Sequence, residues 1–242
     1  MADKSIFQYR VEPQEVDFTF HARLDALCAF MLNSAGADAQ HRGFGVDALM
    51  SKNRAWVLSR MAVEIDRFPK QYEETRLNTW VNDNGVLLST RNFEFVDATG
   101  EIFVRAVSQW CLIDYERRVP VALTECDSFS DDKLCTAPSP CSLPRKIRNV
   151  EPTEHVSRRA VYSDIDFNYH VNTMRYLAMM LDVLPIEMLA SNRPLRLDVH
   201  FMHECRLGQL LTVGYRQQDD VSLFEITTDD DTVACRATIE WR

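Results

Sequence analysis

The order of elements along this chain occurs twice, and that repetition limits its folds more than any other feature. In the first half, Ala22 to Ala37 places Leu24, Leu27, Cys28, Met31 and Ala35 on one helical face. Gly43 and Gly45 then break the chain before a short helical piece around Val46 to Ser51. Four segments follow: "AWVLSRMAVEIDRF", "YEETRLNTWV", "GVLLSTRNFEFVD" and "EIFVRAVSQWCLID". They are rich in β-branched and aromatic residues and are separated by Pro69-Lys70, Asn82–Gly85 and Ala98–Gly100, which predicts strands joined by short turns.

The second half restates this order. "EPTEHVSRRAVYSDI" reads as a strand ending near Ser163, and Thr173 to Leu189 as a helix with a stripe at Met174, Leu177, Met180, Leu181 and Leu184. "LRLDVHFMHEC", "QLLTVGYRQQ", "VSLFEITTD" and "TVACRATIEW" read as four more strands. Identity between the halves is poor. Even so, "VEIDRFPKQYEETRLNTWV" and "VHFMHECRLGQLLTVGYRQ" both run strand, break with a basic residue, strand. A duplicated α+β unit is predicted, each copy a long helix wrapped by an antiparallel sheet. The expected boundaries are residues 1–119 and 151–242. Between them lies a connecting arm, 120–150, in a stretch (Pro120 to Pro152) that holds five of the nine prolines.

With 242 residues, two such units can bury a sizeable core. The net charge of −9 argues against a nucleic-acid partner, because phosphate contacts need a basic surface. "CAFML" and "LAMMLDVL" fall well short of the roughly 18 apolar residues of a membrane span. Met1 to Phe20 has no basic start followed by an apolar core, so no signal peptide and a cytoplasmic location are expected. The seven cysteines are odd in number, irregularly spaced and without a CxxC pair, which suits reduced thiols better than a disulfide framework or a zinc site.

The chemistry concentrates in "SDIDFNYHVNTMRYLAMML", Ser163 to Leu181. Asp164, Asp166, Asn168, His170 and Asn172 occupy alternate positions just before an apolar helix. Turn formation and helix capping account for Asp164, Asn172 and Thr173. Asp166, Asn168 and His170 form a set that capping does not explain: an imidazole that works near neutral pH, with a carboxylate and an amide to orient it, at a helix N-terminus that favours developing negative charge. A second cluster, "HFMHECR", begins at His200. His200 and His203 face opposite sides of a strand and cannot share a metal there. Glu204 and Cys205 are candidates for a base or nucleophile, but strand alternation sends only one of them toward His170 unless a bulge intervenes.

"SDIDFNYHVNTMRYL" followed downstream by "HECRLGQLL", with "WVLSRMAVEIDRFPKQYEETRLNTWV" and "VSQWCLIDYERRVPVAL" in the first half, resembles the acyl-acyl carrier protein thioesterases of plants and bacteria. The resemblance runs from about Phe7 to Trp241. It implies two tandem hotdog units, with acyl-chain selection in the first and catalysis in the second. It also implies hydrolysis of the thioester joining a fatty acyl chain to the phosphopantetheine arm of acyl carrier protein. The missing plant transit peptide suits a bacterial member. Position by position, the implied catalytic residues are Asp166, Asn168, His170 and Glu204, with Cys205 matching the nucleophile of an older papain-like scheme. "DFTFHARLDAL" (Asp17 to Leu27) stands at the corresponding place in the first unit, with a histidine but no Asn-x-His pair.

Several alternatives stay open at this level. Water, Asp166 or Cys205 is the attacking group, and no metal or redox cofactor is needed. Acyl-CoA offers the same leaving arm as acyl carrier protein, and an acyl-binding protein without turnover is a third reading. Acyl carrier protein is acidic, so docking on this acidic chain calls for a basic patch. Arg145, Lys146 and Arg148 in "LPRKIRN", with Arg158 and Arg159, are the candidates. A homodimer is compatible with the same sequence. Trp56, Met61 and the helix carrying Leu27 and Met31 are candidate walls of an acyl tunnel.

Overall fold

The computed structural model describes residues 2–126 and 130–242; Met1 and residues 127–129 of the expected arm lie outside them. The first unit holds β1 (Ser5–Arg10), α1 (Leu24–His41), α2 (Val46–Met50), β2 (Arg54–Ile65), β3 (Glu74–Asn84), β4 (Leu88–Val96), β5 (Ile102–Asp114) and a short β6 (Val119–Pro120). The second holds β7 (Glu154–Arg159), α3 (Thr173–Leu181), α4 (Ile186–Ala190), β8 (Leu195–Phe201), β9 (Leu210–Gln218), β10 (Val221–Thr228) and β11 (Val233–Trp241). The order strand, helices, four strands therefore occurs twice, as tandem hotdog units.

Among the described residues the strands form one antiparallel sheet, in the order β1-β3-β4-β5-β2-β8-β11-β10-β9-β7, with β6 on β5. The second five mirror the first about the β2–β8 seam. The register there pairs Met61 with Val199, Ala62 with Asp198 and Val63 with Leu197. Ala62 and Asp198 each stand eight residues before the basic residue, Lys70 or Arg206, that bridges to a loop histidine. A pseudo-twofold axis thus passes through that pair. The inner faces of both halves join α1 and α3 in one continuous core, in which Leu27, Met31, Met61 and Phe93 meet Leu177, Met180, Leu197 and Phe224.

Helix ends follow local chemistry. Gly43 takes the left-handed conformation (φ 80°) just past α1, so that Phe44 N–H reaches Ala39 O at 2.9 Å and Gly43 N–H reaches Gln40 O at 3.2 Å. Asn172 caps α3, its side chain accepting from Met174 N–H at 2.9 Å. The helix expected over Thr173 to Leu189 is two pieces, because Pro185 restricts Leu184 and has no N–H to give. The strand expected to end near Ser163 stops at Arg159, and Tyr162–Asp164 forms a 3-10 turn.

The arm is strapped to the sheet. Trp80 Nε1 donates to Ala137 O at 3.0 Å, and His200 Nε2 contacts Arg145 O at 2.8 Å. Arg196, fully buried, donates to Asp198 and Glu64 at 2.8 Å, to the Ser142 hydroxyl at 2.7 Å and to the Leu143 carbonyl at 3.2 Å. Its charge is compensated on every side, which is the condition for burying an arginine.

Candidate active site

Asp166 to His170 form a tight loop ahead of α3. Asp166 N–H donates to His170 O at 2.8 Å, and Asp166 Oδ1 accepts from Asn168 N–H at 2.8 Å and His170 N–H at 3.3 Å. Tyr169 closes the turn in the left-handed region, φ 61°, an uncommon state for a residue with a side chain. The neighbouring Asp164 is fully buried and ties three segments together. It accepts from Arg158 at 2.6 Å, Arg175 at 3.0 Å and Val161 N–H at 2.9 Å.

The end of β8 supplies the partner. Met202 and His203 both direct their N–H groups at Ala234 O, at 2.9 and 3.1 Å, a bulge that ends the regular ladder. Beyond it Glu204 turns outward and its Oε2 lies 3.4 Å from His170 Nε2. Cys205 turns inward and is fully buried; its N–H donates to Tyr176 Oη at 3.0 Å and its carbonyl accepts from Val171 N–H at 2.8 Å. Among the described residues its thiol has no hydrogen bond to His170, and burial raises its pKa above the ordinary thiol value. Of the two adjacent candidates, Glu204 faces the histidine.

Sequence reasoning missed Arg118. It sits in the turn between β5 and β6 with a left-handed φ of 56°, and its guanidinium pairs with Glu204 across the two units. The pair is separated by 86 positions, and the "ERR" in which Arg118 sits reads as an ordinary charged turn. The His170 pKa is lowered, first by burial and then by the charges of Arg118 and Arg206, with Asp166 opposing. A neutral imidazole, ready to accept a proton, follows.

Phe167 and Asn168 face a cavity of about 450 Å³ whose other walls belong to the first unit. Leu32, Ala35, Gly36 and Ala39 of α1 line it, with Trp56 and Trp110 from the sheet. Of the expected tunnel walls, Trp56 and the helix that carries Leu27 and Met31 are there, and Met61 is not. Leu27, Met31 and Met61 are fully buried in the core and do not line the cavity themselves. Of the expected docking patch, Arg145 is exposed but pairs with Glu240 at 2.7 Å, and Lys146 and Arg148 are exposed without an ion pair among the described residues. Arg158 is committed to Asp164, and Arg159 donates to Gly208 O at 3.0 Å.

The loop in the first unit is a close backbone copy. Asp17 N–H donates to His21 O at 3.0 Å, Asp17 Oδ1 accepts from Thr19 N–H at 2.8 Å, and Phe20 has φ 62°. His21 bridges to Lys70 as His170 bridges to Arg206. Counting back two residues, Phe68 stands where the second unit has Glu204.

Two family models cover nearly all of the chain: the acyl-ACP thioesterase N-terminal domain matches residues 4–127 and the C-terminal domain residues 148–242. A crystal structure of an acyl-ACP thioesterase from Bacteroides thetaiotaomicron superposes with a TM-score of 0.91 at 32% identity, covering 99% of this chain and 98% of that one. The 12:0-ACP thioesterase of Umbellularia californica shares the fold, with a TM-score of 0.81 at 19% identity over 99% of this chain and 97% of its own. An oleoyl-acyl carrier protein thioesterase of Coriandrum sativum is 26% identical over 95% of this chain, which spans 64% of that relative's length.

Proposed function

From the premise that the chain belongs to the acyl-ACP thioesterase family, we propose that it hydrolyses the thioester of fatty acyl-acyl carrier protein to free fatty acid and carrier-protein thiol. The observation that carries this reading is Asn168, which opens onto the apolar cavity beside the His170–Glu204 pair. The acyl chain lies in that cavity, among the small residues of α1. The first unit therefore sets chain length and the second performs the chemistry.

The reaction follows from the side chains. Asn168 and the N–H groups at the start of α3 polarise the thioester carbonyl. His170 takes a proton from water as the water oxygen bonds to the carbonyl carbon. Collapse of the tetrahedral species breaks the C–S bond, and the imidazolium returns the proton to the departing thiolate. Glu204 orients the ring and stabilises its charge. Asp166 spends Oδ1 on the loop, and its second oxygen orients the attacking water. Cys205 receives no part in this scheme, since its thiol is buried, held in the protonated form and turned away.

Cytoplasmic location, acyl carrier protein as the docking partner and a homodimeric state complete the proposal. The test is a hydrolysis panel of saturated acyl-carrier-protein thioesters from medium to long chains, with the matching acyl-CoA series beside it. Turnover of carrier-protein substrates with a clear chain-length optimum is expected. Turnover of acyl-CoA alone would move the assignment to the CoA reading. Absence of turnover on both would leave an acyl-binding protein.

A further inference from the structure

The pseudo-twofold axis that generates the first cavity generates a second one. It measures about 350 Å³, and Phe18 stands at its mouth as Phe167 stands at the mouth of the first. Its inner wall comes from the second unit. Leu181 and Leu184 occupy the places that Leu32 and Ala35 hold in the first cavity, counted from the loop aspartates Asp166 and Asp17. Further along the chain the two units diverge, because α1 continues to His41 whereas α3 ends at Leu181 and α4 begins at Ile186. Each cavity thus lies between the helix of one unit and the loop of the other.

The loop at the second cavity has lost its reactive partner. Phe68, at the position equivalent to Glu204, lines the cavity with an apolar ring. His21 Nδ1 lies 3.0 Å from Thr19 O and 3.3 Å from Asn192 Nδ2, so it is held by an amide of the opposite unit instead of a carboxylate. Without the histidine–carboxylate pair and the loop asparagine, the site keeps an apolar cavity and loses the means of proton transfer.

We propose that this second cavity binds the hydrocarbon tail of a single-chain acyl ligand with an uncharged head, and holds it without cleaving it. The choice of an acyl tail rests on the acyl reading of the first cavity and on the symmetry that relates the two. Rim charge selects the head. Asp17, Asp25 and Asp182 border the cavity against one cation, Arg23, which is already paired with Asp25 at 3.1 Å. Surplus negative charge repels a free carboxylate and leaves an ester- or thioester-linked chain favoured over fatty acid. The volume of about 350 Å³ lies within the range of ligand sites.

The test is equilibrium dialysis of the full chain with S-decyl-N-acetylcysteamine, a neutral thioether that cannot be hydrolysed, and in parallel with decanoate. The wild-type chain is expected to bind two equivalents of the thioether and one of decanoate. Ala178→Phe fills the second cavity from α3 and is expected to bind one thioether while hydrolysing acyl-carrier-protein substrate at the wild-type rate; Leu189→Trp provides the same block from α4. Gly36→Phe fills the first cavity and is expected to bind one thioether with hydrolysis lost. One equivalent in the wild type, or two in both Ala178→Phe and Leu189→Trp, overturns the second site. Equal filling of both sites by decanoate overturns the selection by charge. Two equivalents with no wild-type hydrolysis would sink the proposed activity and leave the second site standing.

Discussion

At the residue scale, the proposed chemistry turns on which side of the backbone Glu204 and Cys205 leave. Glu204→Gln keeps the shape and removes the charge that stabilises imidazolium, so kcat is expected to fall by about 100-fold with an unchanged melting curve. Cys205→Ala is expected to keep most of the rate; a loss as large as that of Glu204→Gln would restore the thiol as nucleophile. Asp166→Asn retains an acceptor for the loop N–H groups, so it is expected to fold normally and lose about 100-fold in kcat; full activity would reduce Asp166 to a loop former. The pH profile tests Arg118. In the proposed mechanism hydrolysis needs neutral His170, so activity is expected to fall as pH drops through its pKa, which lies below the ordinary histidine value. Arg118→Met removes one of the charges that lower it and frees Glu204 beside the ring. The acid limb of kcat/KM is therefore expected to move to higher pH, and a limb that stays in place would separate Arg118 from His170. Asp166, Asn168 and His170 were legible because five polar residues alternate before an apolar helix. The Glu204/Cys205 choice was not, because it depends on a bulge at Met202–His203 that only the partner carbonyl of Ala234 reveals. Arg118 left no signal, since its partner is far away in sequence.

At the element scale, small residues on one helix face make the first cavity. Ala22 to Ala37 announced an amphipathic helix, and its core face was legible at Leu27 and Met31. The cavity belongs to a neighbouring face, at Leu32, Ala35, Gly36 and Ala39, whose residues carry no polar or reactive group that would mark them in the sequence. An added Cβ at Gly36 meets nothing within 4 Å, so the position accepts a side chain and the cavity receives it. Gly36→Ala is expected to stabilise the protein by about 0.4–1 kcal/mol through reduced freedom of the unfolded chain, measured by denaturant titration. Gly36→Leu is expected to shift the substrate optimum toward shorter chains, and an unchanged optimum would remove this cavity as the place of the acyl tail. The second unit shows the converse. There Pro185 breaks the helical pattern, and two short helices stand where the sequence predicts one continuous helix over Thr173 to Leu189.

At the scale of the whole molecule, duplication was legible because element order survives when identity does not. Its consequence, that each unit's helix lines a cavity closed by the other unit's loop, needed the β2–β8 seam to be seen. The connecting arm was legible only as a change of composition; buried Arg196 is what fixes it against the sheet and fixes the direction of the basic patch it carries. That patch bears on docking. A chain of net charge −9 is repelled by an acidic carrier protein at long range, so association depends on a local surplus of cations. Lys146 and Arg148 are exposed and without ion pairs among the described residues, whereas Arg145 is partly neutralised by Glu240. Lys146→Glu combined with Arg148→Glu is therefore expected to raise KM for acyl-carrier-protein substrate by about 10-fold while leaving kcat unchanged. Hydrolysis of a short acyl-N-acetylcysteamine thioester, which has no protein to dock, is expected to stay at the wild-type value. The gap between wild type and variant on the carrier substrate should narrow with added salt, because exposed charges are screened within about 10 Å at 0.1 M ionic strength. Equal loss on both substrates would point to damage at the active site, and no loss on either would take Lys146 and Arg148 out of the docking surface.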